Sequence, residues 1–229
     1  MKAIMMSIKP KYVADILNGH KTIEIRKTCP EVFKHLKPYE GCSIDVYIYC
    51  TKDKGNNLHK NRNGWFANEM NVIFVEGKPI YENYNGKVVA KFTLLNRVEE
   101  IKAIPYPNNP YPNDNYPHDN YPKHIYWYNY ITETKSQGIL LGEAQVDYYD
   151  INQVYLKGKN GYAWYINNLE IFDKPKELSE FNSFQRAKAT DCGFLKQCKN
   201  CGRKFNRCHL LKPLTKAPQS WCYIEVEGE

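Results

Sequence analysis

The sequence contains no apolar run long enough to cross a membrane. A membrane-spanning helix needs about 18 or more consecutive apolar residues, and no stretch of the 229 residues approaches that length. The N-terminal residues 1–10 also hold too short an apolar stretch for a secretory signal peptide, and they are typical of a strand that leads into a helix. We therefore expect a cytoplasmic protein that has no membrane partner.

A cytoplasmic location also argues against a disulfide framework for the eight cysteines, because that compartment keeps thiols reduced. Metal binding or simple burial must then explain them. Cys29, Cys42 and Cys50 are scattered through the N-terminal part of the chain, as expected for packed structural cysteines. The other five lie within residues 192–222.

Acidic side chains are almost absent from residues 186–216. This region holds nine Lys or Arg and one acid, Asp191, whereas the remainder of the chain has 23 basic and 24 acidic residues. The net charge of +7 therefore belongs to this one region. Such a concentration favours a nucleic-acid or phosphate partner. A solubilising, lysine-rich tail is the alternative.

The cysteines of the basic region have the spacing of a zinc site. A C-x-x-C pair followed by glycine suits one half of a tetrahedral zinc site, and zinc would supply folding energy to a short, polar segment. Free thiols are the alternative, and a redox pair lacks a thioredoxin-like context. The candidate zinc ligands are Cys192, Cys198, Cys201 and Cys208, with His209 and Cys222 as alternates.

Hydrophobic periodicity predicts a chain dominated by strands. Turn dipeptides at 76–77 and 85–86 favour antiparallel hairpins, so a small antiparallel barrel fits better than a parallel α/β sheet. A helix is predicted at 10–18, and a helix or helix-plus-turn at 142–155. The predicted strands are 1–8, 22–27, 43–51, 72–75, 78–84, 86–95, 162–172 and 221–226.

Residues 19–27 join a helix end to a polar strand. Gly19 suits the position just past a helix, and the pattern then changes to period two, with Ile23 and Ile25 facing the core. The turn and the opposite strand face carry Lys21, Thr22, Glu24 and Arg26. Without further information, a half-exposed strand with a surface ion pair between Glu24 and Arg26 would explain this pattern.

The same stretch resembles the G-x-K-x-x-E-x-R signature of the ASCH domain family, which is matched at Gly19, Lys21, Glu24 and Arg26. Further stretches resemble a phage-associated branch of that family, in order and over most of the chain. The resemblance implies an α+β fold, namely a PUA-like mixed, mainly antiparallel β-barrel with flanking helices. The further stretches are residues 24–30, 46–52, 161–178 and 217–223.

The resemblance and the composition together predict the domain organisation. Residues 1–178 would form the ASCH/PUA-like domain, and residues 179–229 a basic, cysteine-rich element with a terminal strand. Residues 105–122 repeat Tyr-Pro four times, and their prolines prevent a helix or a central strand. This insertion is either a tolerated low-complexity loop or a loop whose tyrosines contact bases or a protein partner.

PUA-like domains bind RNA or modified nucleosides, so the resemblance implies an RNA- or nucleotide-binding protein with a basic cleft at the motif. Lys21 and Arg26 would hold a phosphate, Arg26 in bidentate fashion. Trp164 would stack on the base, and Thr22 and Glu24 would complete the ligand-binding set.

A hydrolase at the same cleft is one alternative, because some small ASCH proteins resemble N4-acylcytidine amidohydrolases and others ribonucleases. Lys21 matches the hydrolase lysine, and Glu24 stands where those members keep a threonine. Lys21 would be a base or nucleophile and Glu24 a general base; the second acid would be Glu99, Glu100 or Glu143. Another alternative is a phage-encoded interaction protein that binds a host factor through the Tyr-Pro loop.

Elemental analysis of protein purified without added metal tests the zinc prediction. Because four thiolates hold one Zn²⁺ ion in a tetrahedral site, we expect about one zinc per chain. A stoichiometry near zero would contradict it.

Overall fold

The computed structural model describes residues 2–34, 43–52, 73–75, 78–80, 84–95, 98–105, 128–186 and 209–226. Within these residues the chain is α+β and dominated by mainly antiparallel strands. The helices are α1 (Pro10–Leu17), α2 (Glu31–Lys34) and α3 (Gln137–Ala144), with a π-helical segment at Asp150–Tyr155 and a short 3₁₀ turn at Leu178–Glu180. None of them is long and apolar enough to span a membrane.

In chain order, the strands are β1 (Lys2–Ile8), β2 (Ile23–Arg26), β3 (Ile44–Cys50), β4 (Ile73–Val75), β5 (Lys78–Ile80), β6 (Val88–Leu94), β7 (Val98–Pro105), β8 (Tyr128–Ile131), β9 (Gly161–Tyr165), β10 (Asn167–Lys176), β11 (Asn182–Arg186), β12 (His209–Pro213) and β13 (Trp221–Glu225).

The chain divides into two compact units, and the first comprises Met1–Ala14, Ile44–Phe92 and Leu169–Glu229. Its seven-stranded sheet has the order β10-β6-β3-β1-β13-β11-β12, and β4 and β5 form a separate antiparallel pair. The inner strand β1 is buried from residue 3 to residue 8, which explains why it is a nearly continuous apolar run rather than an alternating one. It pairs in parallel with β3 and antiparallel with β13.

The second unit comprises Asp15–Ser43 and Thr93–Asn168. Its four-stranded sheet has the order β2-β9-β7-β8, and α3 packs against β2 and β8. The side chain of buried Asn152 accepts a hydrogen bond from Tyr128 N at 3.1 Å and donates one to Tyr148 O at 3.1 Å, which ties the π-helical segment to β8. The core of this unit is formed by Ile23, Ile25, Ile101, Tyr130, Leu140, Ala144, Ile151, Leu156 and Ala163.

Most of the predicted strands are confirmed to within a few residues, but the single strand predicted at 162–172 is wrong. The chain instead forms β9 and β10, which belong to different sheets and are separated at Ile166. Asn168 adopts a left-handed conformation with φ 48°, which asparagine tolerates better than most residues. The left-handed residue interrupts the regular extended conformation close to the point where β9 ends and β10 begins.

The helix predicted at 142–155 is also wrong in its bounds. Helix α3 covers Gln137–Ala144 and ends where Gln145 turns left-handed with φ 49°, and the π-helical segment begins only at Asp150. The mainly antiparallel prediction is confirmed, with the parallel β1–β3 pair as an exception.

The predicted element 179–229 is described only in part. Its strands β11, β12 and β13 join the same sheet as β1, and the β11–β12 pair was not predicted. Residues 187–208 lie outside the described residues, as does the Tyr-Pro insertion after Pro105, so the proposed roles of both segments remain predictions. The domain division at residue 178 likewise remains a prediction.

Candidate functional site

Lys21, Glu24 and Arg26 are the only charged residues that are buried within the described part of the chain, with 2%, 8% and 6% of their surface exposed. They lie together in the second unit. Charged side chains are almost never fully buried unless they are paired. The alternative of an ordinary ion pair on an exposed strand is therefore wrong, because both faces of β2 are covered.

The three side chains form one ion triad, which we call the Lys21–Glu24–Arg26 triad. Glu24 Oε2 lies 3.2 Å from Lys21 Nζ, and Glu24 Oε1 lies 3.0 Å from Arg26 Nη2. Each oxygen of the one carboxylate thus holds a different cation. The three groups together carry a formal charge of +1.

The turn that precedes β2 sets the position of Lys21. Gly19 has a φ of +73°, a left-handed conformation that favours glycine. The backbone N–H groups of His20 and Lys21 then both donate to Asp15 O at 2.9 Å. The chain therefore reverses directly after α1, and Lys21 is delivered to the start of the strand.

Lys21 also caps a helix. Its ammonium group donates to the backbone carbonyl of Ala144, the last residue of α3. The final carbonyls of a helix have no partner within the helix, and a cation at this end interacts favourably with the helix dipole. The contact fixes Lys21 Nζ independently of Glu24.

Tyr155 supports the strand that carries the other two triad members. Its hydroxyl donates to Ile25 O at 3.1 Å, between Glu24 and Arg26 in sequence. Burial raises the pKa of Tyr155, the charge of Arg26 opposes this and that of Glu24 adds to it. The phenol therefore stays protonated and remains a donor. Tyr155 is the last residue of the π-helical segment and therefore links that segment to the triad. Such segments are often found at functional sites.

The other two predicted ligand-binding residues lie beside the triad but differ in exposure. Trp164 is fully buried on β9 and stands opposite Glu24 in the β2–β9 register. Thr22 is exposed, and its backbone N–H donates to Glu143 O at 2.9 Å. The structure thus brings all five predicted residues into one region, with Thr22 at the surface. The stacking role of Trp164 stays a prediction.

Glu99, one of the three candidates for a second acid, lies in a second polar cluster of the same unit, and its partners there were not predicted. Thr134 Oγ1 donates to the carboxylate of Glu99 at 2.8 and 2.9 Å and lies 3.5 Å from the Tyr165 hydroxyl. Burial raises the pKa of Glu99, but hydrogen bonds from Thr132, Thr134 and Tyr165 outweigh it, so that the net pKa lies below its usual value. Glu99 is therefore an ionised acceptor rather than a proton donor.

The other two candidates for a second acid also have partners. Glu143 Oε1 lies 2.9 Å from Lys135 Nζ, and this contact raises the pKa of Lys135. Glu100 accepts a hydrogen bond from Asn160 at 3.0 Å and is exposed. Of the three, Glu143 is joined to the motif segment directly, through its backbone bond to Thr22.

Most of the candidate zinc ligands lie outside the described residues. The four principal cysteines lie outside them, and of His209 only the backbone is described, at the start of β12. Cys222 is half-buried on β13, and burial raises the pKa of its thiol. Within the described residues, no group of three or more His, Cys, Asp or Glu side chains could hold a metal ion.

Two of the three scattered cysteines are described, and both are buried thiols that form no disulfide. Burial raises the pKa of Cys50 to about 12, so its thiol is protonated and unreactive. This agrees with the structural role expected for Cys29 and Cys50, and Cys42 lies outside the described residues.

No model of a known protein family matches the chain, and no curated protein matches it. The ASCH resemblance therefore rests on the motif stretches themselves, and the family stays a prediction.

The charge balance of the triad predicts an asymmetry in stability. Glu24→Gln removes a negative charge that contacts two buried cations and should lower the free energy of unfolding by about 3–5 kcal/mol. Lys21→Met retains the ion pair between Glu24 and Arg26 and should lower the free energy of unfolding by less. Urea denaturation followed by circular dichroism gives both values.

Glu133→Gln removes an exposed acid from the same unit and serves as the control, with an expected change within about 0.5 kcal/mol. If Glu24→Gln cost no more than Lys21→Met, the triad would not be held together by the carboxylate.

Proposed function

We propose that this protein binds RNA or a modified nucleotide through the Lys21–Glu24–Arg26 triad, within a PUA-like domain of the ASCH type. The observation that carries the proposal is the burial of two cations with one carboxylate. A protein stabilised only by its core gains little from such an arrangement, because apolar side chains of similar volume are often at least as stabilising. We therefore assign the buried charges to ligand binding rather than to stability.

The excess positive charge favours an anionic ligand group. Lys21 and Arg26 both present donors toward one carboxylate, and a phosphate accepts hydrogen bonds from the same kinds of donor, with arginine able to bind it through two parallel bonds. A phosphodiester or a nucleotide phosphate therefore suits the triad chemically.

The charge distribution of the chain favours RNA among phosphate ligands. Nine of the 32 basic residues fall within 186–216, against one acid, and a basic segment of this kind binds a nucleic-acid backbone without regard to sequence. We propose that this segment, stabilised by zinc at its cysteines, contacts the backbone, while the triad holds one phosphate. The β-dominated, mainly antiparallel fold is compatible with a PUA-like barrel.

RNA affinity, measured by fluorescence anisotropy with a labelled single strand, tests this function. Lys21→Met and Arg26→Met should each weaken binding at least about tenfold, the effect of losing one charge-assisted contact of about 1.4 kcal/mol. Affinity should also fall steeply as salt rises, because bound cations on the RNA are released.

Lys102→Ala is the matched control, because Lys102 is an exposed lysine of the same unit and its loss should hardly change the affinity. Circular dichroism establishes that each variant is folded. Absent or salt-independent binding by the unmodified protein would end the proposal, as would equal losses in the three variants.

A hydrolase at the same site is a second candidate, favoured by the 3.2 Å contact between Lys21 Nζ and Glu24 Oε2. A carboxylate and an ammonium group in contact can transfer a proton during attack on a carbonyl or a phosphodiester. Incubation with N4-acetylcytidine and with labelled RNA tests it. Turnover that is lost in Lys21→Met would support a hydrolase, and turnover no higher than in that variant would exclude one.

A further inference from the structure

Within the triad, Glu24 is placed like a bound anion. Its two oxygens make the contacts, at 3.2 and 3.0 Å, that the oxygens of a phosphate or carboxylate ligand would make with Lys21 and Arg26. We propose that Glu24 is an internal stand-in for the ligand's oxyanion, and that ligand binding displaces its carboxylate from both cations. This inference rests on the proposed function and specifies how the same site recognises its ligand.

Glu24 is the member of the triad best able to move. Its side chain is 11% exposed, against 1% for Lys21 and 8% for Arg26. Glu24 is therefore the triad side chain with the most contact with solvent, and the proposed movement is an outward rotation about its side-chain bonds while the backbone stays in β2. An exposed carboxylate is well solvated, so the outward state costs less than burial of a lone charge.

The two cations would keep their positions after this movement. Lys21 Nζ retains its hydrogen bond to Ala144 O at the end of α3. The strand segment that carries Arg26 is fixed by Tyr155 through Ile25 O and by pairing with β9. The site left by the carboxylate is therefore lined by a lysine that a second contact holds and by an arginine on a fixed strand, and such prearrangement reduces the cost of binding.

Displacement gives the site a chemical preference. A neutral ligand is a poor replacement for the carboxylate, because it would take a negative charge away from two buried cations and supply none in its place. An oxyanion restores the charge balance and makes bidentate contacts. The triad should therefore accept phosphate esters and reject the corresponding uncharged nucleosides.

The displacement of Glu24 predicts that a substitution at the ligand site strengthens ligand binding instead of weakening it. Glu24→Gln removes the competing charge, so it should strengthen oxyanion binding. If Glu24 instead accepted hydrogen bonds from the ligand, the same substitution would weaken binding. The sign of the effect separates the two roles.

Isothermal titration with inorganic phosphate, cytidine 5′-monophosphate and cytidine measures this sign. We expect Glu24→Gln to bind both phosphate-containing probes about tenfold more tightly than the unmodified protein. A tenfold change corresponds to about 1.4 kcal/mol, which the ligand no longer spends on displacing the Glu24 carboxylate. Cytidine should bind weakly to both proteins. Glu133→Gln, which removes an exposed acid of the same unit, should leave all three affinities unchanged. Unchanged or weaker phosphate binding by Glu24→Gln would overturn the inference.

A second variant, Glu24→Asp, tests the same inference if Glu24→Gln folds poorly. Glu24→Asp keeps the charge but shortens the side chain, so that its carboxylate cannot reach both cations equally well, and it too should bind phosphate more tightly than the unmodified protein. The melting temperature gives an independent measurement, because phosphate should raise it more in either variant than in the unmodified protein. Equal or smaller increases in both variants would contradict displacement.

These results are distinguishable from failure of the proposed function. Tighter phosphate binding by Glu24→Gln in a protein that binds no RNA would support the stand-in role and refute RNA binding. RNA binding that depends on Lys21 and Arg26, together with weaker phosphate binding by Glu24→Gln, would support the proposed function and refute the stand-in role of Glu24.

Discussion

Two cations share one carboxylate in the interior of the second unit, and the local structure is built to sustain this arrangement. Removing charges from water is expensive, and the attraction between them offsets that cost only when the geometry is good. The Glu24 contacts of 3.2 and 3.0 Å meet this requirement. The remaining positive charge is partly balanced by the carbonyl end of α3 at Ala144.

The elements around the triad serve it in different ways. The left-handed Gly19 reverses the chain so that Lys21 lies directly before β2. The last carbonyl of α3 accepts a hydrogen bond from Lys21, and the π-helical segment supplies the Tyr155 hydroxyl to the backbone of β2. Fully buried Trp164 stands opposite Glu24 on β9. These contacts join residues 120 or more positions apart in the chain, so a short motif is held by distant parts of its own unit.

The sequence predicted the elements whose signals are local. The apolar runs of β1 and β3, the helix that starts at Pro10 and the terminal strand at Trp221 all lie close to their predicted positions. The motif likewise identified which residues meet. The prediction failed where a single residue adopts a left-handed conformation, as at Asn168 near the start of β10 and at Gln145 after α3, because such conformations of non-glycine residues have only weak sequence signals.

Burial of the motif and the cluster around Glu99 could not be predicted for a different reason. Alternation along β2 indicated a polar outer face, and only the packing of distant elements covers it. Glu99 gains its hydrogen bonds from Thr134 and Tyr165, which lie far away in sequence and belong to no recognisable pattern. Tertiary contacts of this kind override what local periodicity suggests.

The most direct test of the triad as an oxyanion site is a crystal structure of the protein with cytidine 5′-monophosphate. We expect phosphate oxygens within hydrogen-bonding distance of Lys21 Nζ and the Arg26 guanidinium group, with the Glu24 carboxylate turned away from both. A nucleotide bound elsewhere, with the Lys21–Glu24–Arg26 contacts intact, would contradict it.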